Sequence, residues 1–254
     1  MYHIDYNSYR SVKSFNHRTR FLVMHYTAEN FQNSISSLTG PLVSTHYLVP
    51  DPSDKTYINA GFEDMRIFNL VDENERAWHA GVSYWAGRSN LNDTAIGIEI
   101  VNLAKDDHGS FIFPPYNPIQ TEAIKELALN IIQRYPDITP ENVVGHSDIA
   151  PGRKSDPGAA FPWEELYNAG VGVWYDDETK HKYVKEFLCH LPPKNEIISQ
   201  LKRYGYDTSG AENEAGYSQL IRALQLHFRP CNYSGKLDTE TAAIIYALVE
   251  KYKS

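Results

Sequence analysis

The chain has 254 residues, of which 42% are hydrophobic, 13% aromatic and 22% charged, far from the disordered, collagenous and membrane-spanning extremes. That length suffices for one large domain, or for a catalytic domain with a small accessory one. A formal net charge of −8 weighs against nucleic acid, whose phosphates demand a basic surface. Cys189 and Cys231 are too few and too far apart for a disulfide framework, and they read as two buried thiols.

The first thirty residues spread Arg10, Lys13, His17, Arg18 and Arg20 through polar sequence, with no apolar run of the kind a secretory signal needs. Phe21 to Tyr26 then reads as a buried strand, followed by Thr45 to Val49 and Ala95 to Val101. From Thr121 to Tyr135, Ile124, Leu127, Ala128, Ile131 and Ile132 recur at helical spacing until Pro136 closes the run. Val143 to His146 is a fourth strand. The helix expected over Glu178 to His190 stops at the paired prolines Pro192 and Pro193, which mark a boundary. Beyond them lie three short amphipathic patterns, Asn195 to Tyr204, Gly216 to Phe228 and Asp238 to Tyr252. The pattern predicts an α/β domain over residues 1–190, a mixed central sheet flanked by helices, and then a small three-helix domain over residues 191–254. The second part has 8 Lys and Arg against 7 Asp and Glu, so all the net negative charge sits in the first.

Three side chains suggest a metal site. His25 ends one apolar strand, His146 ends another, and Asp156 follows ten residues later in a loop stiffened by Pro151, Gly152, Pro157 and Gly158. Two imidazoles and a carboxylate are the ligand set of an open catalytic zinc site with the fourth position left for water. The alternative for either histidine is a hydrogen-bonded structural role. Strand alternation puts Glu99 on the face of Ala95 and Gly97, opposite Ile96, Ile98 and Ile100, so that small neighbours leave room beside the carboxylate for a substrate or a water. Its alternative is a structural glutamate paired with an arginine or a backbone amide. Lys154, two residues before Asp156, is either a solvated loop charge or a cation aimed at developing negative charge.

Four stretches, FLVMHYTA (21–28), RAWHAGVS (76–83), NDTAIGIEIVN (92–102) and VVGHSDIAPGRKSDPG (143–158), resemble the amidase-2 group of zinc-dependent N-acetylmuramoyl-L-alanine amidases, and the likeness covers residues 1–175. The resemblance implies one zinc per chain on His25, His146 and Asp156, a catalytic carboxylate at Glu99 and an oxyanion-stabilising cation at Lys154. It further implies substrate contacts at Trp78, His79, Asn102 and Arg153, although a tryptophan such as Trp78 is more often core. His46 and Asp148 are rival ligands better read as groups that orient the others. The tail, with Leu224 to Pro230, Gly235, Asp238 and Thr241 to Ala243, resembles the three-helix peptidoglycan-binding module of some such amidases, its alternative being a structural cap.

The implied activity is hydrolysis of the amide between N-acetylmuramic acid, ordinary or 1,6-anhydro, and L-alanine in peptidoglycan or muropeptides. Two rivals share the fold: a peptidoglycan-recognition protein that binds without cutting, and a cytoplasmic recycling amidase. The expected place of action is the periplasm or cell wall, reached by a non-Sec route or after loss of a signal. Likeness to a tailed paralogue within the group adds type VI secretion components as expected protein partners.

Overall fold

Residues 3–107 and 110–253 are described in the computed structural model of the protein. In chain order they form β1 (Phe21–Tyr26), α1 (Phe31–Leu38), β2 (Tyr47–Val49), α2 (Lys55–Asn59), β3 (Phe68–Asn69), β4 (Tyr84–Trp85), β5 (Arg88–Ser89), β6 (Ala95–Ile100), β7 (Lys105–Asp107) and β8 (Ser110–Ile112). There follow α3 (Pro118–Arg134), β9 (Val143–Gly145), α4 (His146–Ile149), α5 (Trp163–Asn168), α6 (Asp177–Phe187), α7 (Lys194–Tyr204), α8 (Glu214–Phe228) and α9 (Thr239–Tyr252).

Among the described residues the main sheet runs β3-β2-β6-β1-β9, with β2, β6, β1 and β9 parallel and β3 antiparallel at one edge. The expected mixed α/β architecture is what the chain adopts. Continuous apolar sequence in β1 and β6 follows from burial on both faces: Leu22, Val23, Met24, Ile96, Ile98 and Ile100 are all fully buried. Helix α3 lays Ile124, Leu127, Ala128 and Ile131 against the core. It begins three residues earlier than its apolar periodicity suggests, because Asn117 accepts the Ile119 N–H and Pro118 stands at the first helical position. From its first turn Gln120 donates to the carbonyls of Val49 and Val101, tying the helix to the carboxyl ends of two strands.

The helical tail shares its core with the sheet. One apolar cluster joins Leu22 and Ile98 to Tyr204, Phe228 and Ile244. Helix α9 is buried almost all round, from Thr241 to Ile245 and again from Ala247 to Val249, because its neighbours enclose it. One neighbour is α6, whose Tyr183 and Phe187 pack on Tyr246, so a helix lying before the two prolines packs with those after them. Trp85 meets Tyr204 and Tyr206 edge-on at 5.9 and 4.8 Å, and Gly205 between them has a Cβ position only 3.2 Å from the indole. Asp148, fully buried, accepts from Tyr206 Oη (2.7 Å) and Gly145 N–H (2.8 Å) and faces His227 Nδ1 at 2.7 Å. Cys189 and Cys231 are exposed and free rather than buried, since both fall outside the helices that carry the apolar faces.

Because sheet and tail share one core, thermal unfolding is expected to be a single transition. Trp85→Ala should lower stability by about 3–5 kcal/mol, a fall in Tm on the order of 10 °C. Ending the chain at residue 190 should abolish cooperative folding. A truncated protein that melts like the full chain, or two separate transitions in the intact one, would contradict this packing.

Candidate active site

The register of three neighbouring parallel strands assembles the site. His25 stands opposite Glu99 across β1 and β6, and Met24 opposite Gly145 across β1 and β9, which brings His146 beside His25. All three lie at carboxyl ends of strands, where open α/β sheets place their ligands. His146 is the first residue of α4 rather than the last of a strand. Asp156 returns to it because the Ser147 N–H donates to the Asp156 carbonyl at 2.8 Å. The loop closes over Gly145, where a Cβ would lie 2.7 Å from Pro157.

Three ligand atoms converge: His25 Nδ1, His146 Nδ1 and Asp156 Oδ2 lie 2.9–3.0 Å from one another, and all three residues are buried. The remaining imidazole nitrogens have their own partners. His146 Nε2 donates to the Ala80 carbonyl at 3.0 Å, which leaves the Nδ1 lone pair facing Asp156. His25 Nε2 meets His79 Nδ1 at 3.0 Å, and with His25 as donor its Nδ1 likewise presents a lone pair. Converging lone pairs beside a buried carboxylate repel unless a cation stands among them, and this donor set fits a divalent metal ion.

The charges follow from burial. Burial first, and then the neighbouring His146, push the His25 pKa down to about 4, so its imidazole is neutral at pH 7. For Asp156, burial alone would raise the pKa; the neighbouring His146 and then His25 outweigh it and hold the carboxyl well below the usual range. Glu99 moves the other way. Burial and then the Asp156 charge push it well above the usual carboxylate range, with the Lys154 charge opposing them. Its Oε1 lies 3.9 Å from His25 Nδ1, and its Oε2 is buried without a hydrogen-bond partner among the described residues.

A cleft of about 420 Å³ opens onto this cluster, lined among others by Tyr26, Trp78, His79, Glu99, Arg153 and Lys154. Trp78 is 54% exposed, so it is a wall of the cleft and not part of the core. The space that Gly97 leaves beside Glu99 is filled by the His79 ring, since a Cβ on Gly97 would come within 2.6 Å of it. His79 therefore lies against the sheet, behind His25. Arg153 donates from Nη2 to the carbonyls of Ala80 and Val82, fastening the segment that carries Trp78 and His79 to the loop that carries Asp156. Asn102 does not line the cleft; it is buried and donates to the Pro114 carbonyl. His46 accepts the Gly97 N–H through Nδ1, and Asp148 points towards the tail, so neither joins the converging cluster. Tyr26 and Ser155, which motif reasoning does not single out, share a 2.6 Å hydrogen bond in the cleft wall.

Two kinds of substitution separate ligand from support. His25→Ala, His146→Ala or Asp156→Ala should each abolish stoichiometric divalent metal in the purified protein. Gly97→Ala, by displacing His79, should weaken metal affinity by about 10–100-fold. Both are read by metal titration, and full occupancy in all three ligand variants would contradict the assignment.

The Amidase_2 family, N-acetylmuramoyl-L-alanine amidase, matches residues 15–159. The chain is 44% identical over 237 residues to the N-acetylmuramoyl-L-alanine amidase AmiD of Escherichia coli K12, covering 92% of this chain and 84% of that one. Among solved structures, AmpDh3 of Pseudomonas aeruginosa in complex with anhydromuramic pentapeptide superposes with a TM-score of 0.96 at 58% identity, covering 99% of both chains. E. coli AmiD, in complex with anhydro-N-acetylmuramic acid-L-Ala-D-γ-Glu-L-Lys, superposes with a TM-score of 0.86 at 42% identity, covering 98% of this chain and 97% of that one. Fold, family match and full-length likeness agree, and the chain belongs to the amidase-2 family of N-acetylmuramoyl-L-alanine amidases.

Proposed function

We propose that this protein hydrolyses the amide between N-acetylmuramic acid, including its 1,6-anhydro form, and L-alanine, with one zinc ion held by His25, His146 and Asp156. The observation that carries this reading is the convergence of two imidazole lone pairs and a carboxylate beside Glu99, at the floor of a cleft. Zinc held there supplies a Lewis acid for the carbonyl oxygen and lowers the pKa of a water from ~15.7 toward ~7.

The protein's own groups do the rest. Glu99, whose affinity for a proton is raised by burial, takes the proton of the attacking water and returns it to the alanine nitrogen as the C–N bond breaks. The Lys154 ammonium, exposed at the cleft wall, faces the oxygen where negative charge develops in the tetrahedral intermediate. Trp78 offers a flat apolar face to the sugar or its lactyl arm. An unactivated amide needs such combined help, because each 1.36 kcal/mol off the barrier yields only about tenfold in rate.

A recognition protein that binds without cutting has no use for Glu99, yet here the carboxylate is buried beside the ligand cluster at a solvation cost. Residues 191–254 read as a peptidoglycan-binding-like unit docked on the catalytic part of residues 1–190, which favours wall polymer or large fragments, met in the periplasm or cell wall, over small cytoplasmic ones. Among the described residues no helix is long and apolar enough to cross a membrane.

Glu99→Gln keeps the shape and removes the base. The variant should retain its zinc and its Tm while turnover falls by roughly 10²–10⁴-fold. A folded, zinc-loaded variant with near wild-type turnover would refute this role, and a joint loss of Tm and activity would mark Glu99 as structural.

A further inference from the structure

A second cleft, of about 440 Å³, adjoins the catalytic one and shares Asp106, Lys154 and Ser155 with it. Its far walls come from places remote in sequence. Hairpin β7–β8 contributes Phe111, and helix α8 of the tail contributes Gln219 and Arg222.

Helix α8 is in direct contact with the loop that bears Lys154 and Asp156. Gly152 in that loop has φ +77°, and a Cβ there would lie 2.4 Å from the Gln219 amide. One turn along the same helix, Arg222 is held in place: Nε donates to the Tyr233 carbonyl and Nη2 to the Ser234 carbonyl, each at 3.2 Å. Its guanidinium carbon also sits 5.4 Å from the centroid of the Phe111 ring. These bonds leave Nη1 without a protein acceptor among the described residues, on a side chain in the groove wall. A guanidinium already fixed, with donors left over, suits a carboxylate and loses little freedom on binding it.

The second cleft carries both signs of charge, Lys154 and Arg222 together with Asp106 and Asp107. Such a lining fits a peptide bearing both carboxylate and ammonium groups. It fits a neutral glycan poorly, since Phe111 is covered by Arg222 and stacked on Phe113 at 5.5 Å, leaving no open aromatic face for a sugar.

We propose that this second cleft is a peptide subsite in which Arg222 of the tail binds a carboxylate of the stem beyond its first residue, so that the helical tail completes the substrate groove. The proposal rests on the amidase reading, because the stem enters the subsite from the amide that Glu99 and the metal ligands address.

The test compares two substrates with the same scissile amide, N-acetylmuramoyl-L-alanine and an N-acetylmuramoyl pentapeptide, using the full-length zinc-loaded protein. In Arg222→Gln the ratio of kcat/KM for the long substrate over the short one should fall by about 10–100-fold. Arg222→Lys, which keeps the charge but loses the fork, should show a smaller fall. An unchanged ratio in both variants, whether their activities are intact or equally reduced, would overturn the subsite. Wild-type protein that cleaves neither substrate would overturn the amidase reading itself.

Discussion

The arrangement rests on the parallel register of β6, β1 and β9. It sets Glu99, His25 and His146 side by side at the carboxyl ends of three neighbouring strands. A slip of one residue would turn His25 to the opposite face and send an apolar neighbour into the cleft. Burial fixes the register: β1 and β6 are apolar on both faces, and on the His25 side β6 presents only Ala95 and Gly97 before Glu99. Those small residues let the His79 ring reach His25 from behind. The same stretch of sheet therefore sets His25 and Glu99 side by side and leaves the hollow that the His79 ring fills.

Much of this was legible in the sequence. Strands β1, β2, β6 and β9 follow their apolar runs to within two residues, because buried parallel strands must be apolar throughout. Placing Glu99 beside His25 required the pairing order, which no local pattern encodes. Hydrophobic periodicity also could not reveal that His79 fills the hollow over Gly97, since the two are brought together only by the fold. Trp78 misleads a reading by residue type: a large aromatic side chain is usually core, but here it stands 54% exposed as a wall of the cleft. Arg153, a substrate contact by resemblance, donates from Nη2 to two backbone carbonyls that only the fold brings within its reach.

The tail was legible as three helices but not as part of the core. Its apolar faces are satisfied by the sheet side of the molecule as much as by one another: Trp163 stacks on His227 at 3.8 Å, and Trp85 packs between Tyr204 and Tyr206. Asp148 accounts for the tightness of this junction. It lies two residues from His146 and bonds both tail and sheet, so the helix that begins with His146 is braced from the far side. A rigid junction makes the tail a fixed wall of the groove, whereas a tethered module would hold substrate only at a distance.

The hydrolysis proposed for these groups cuts the muramoyl–alanine amide with a metal held by His25, His146 and Asp156. It is tested most directly by mass spectrometry of products released from purified sacculi, with the protein as isolated, after chelation, and after zinc is restored. The expected products are free peptide stems with an amino-terminal L-alanine and glycan with unsubstituted lactyl carboxylates, lost on chelation and regained with zinc. Products cut at any other bond, or the same products undiminished by chelation, would contradict it.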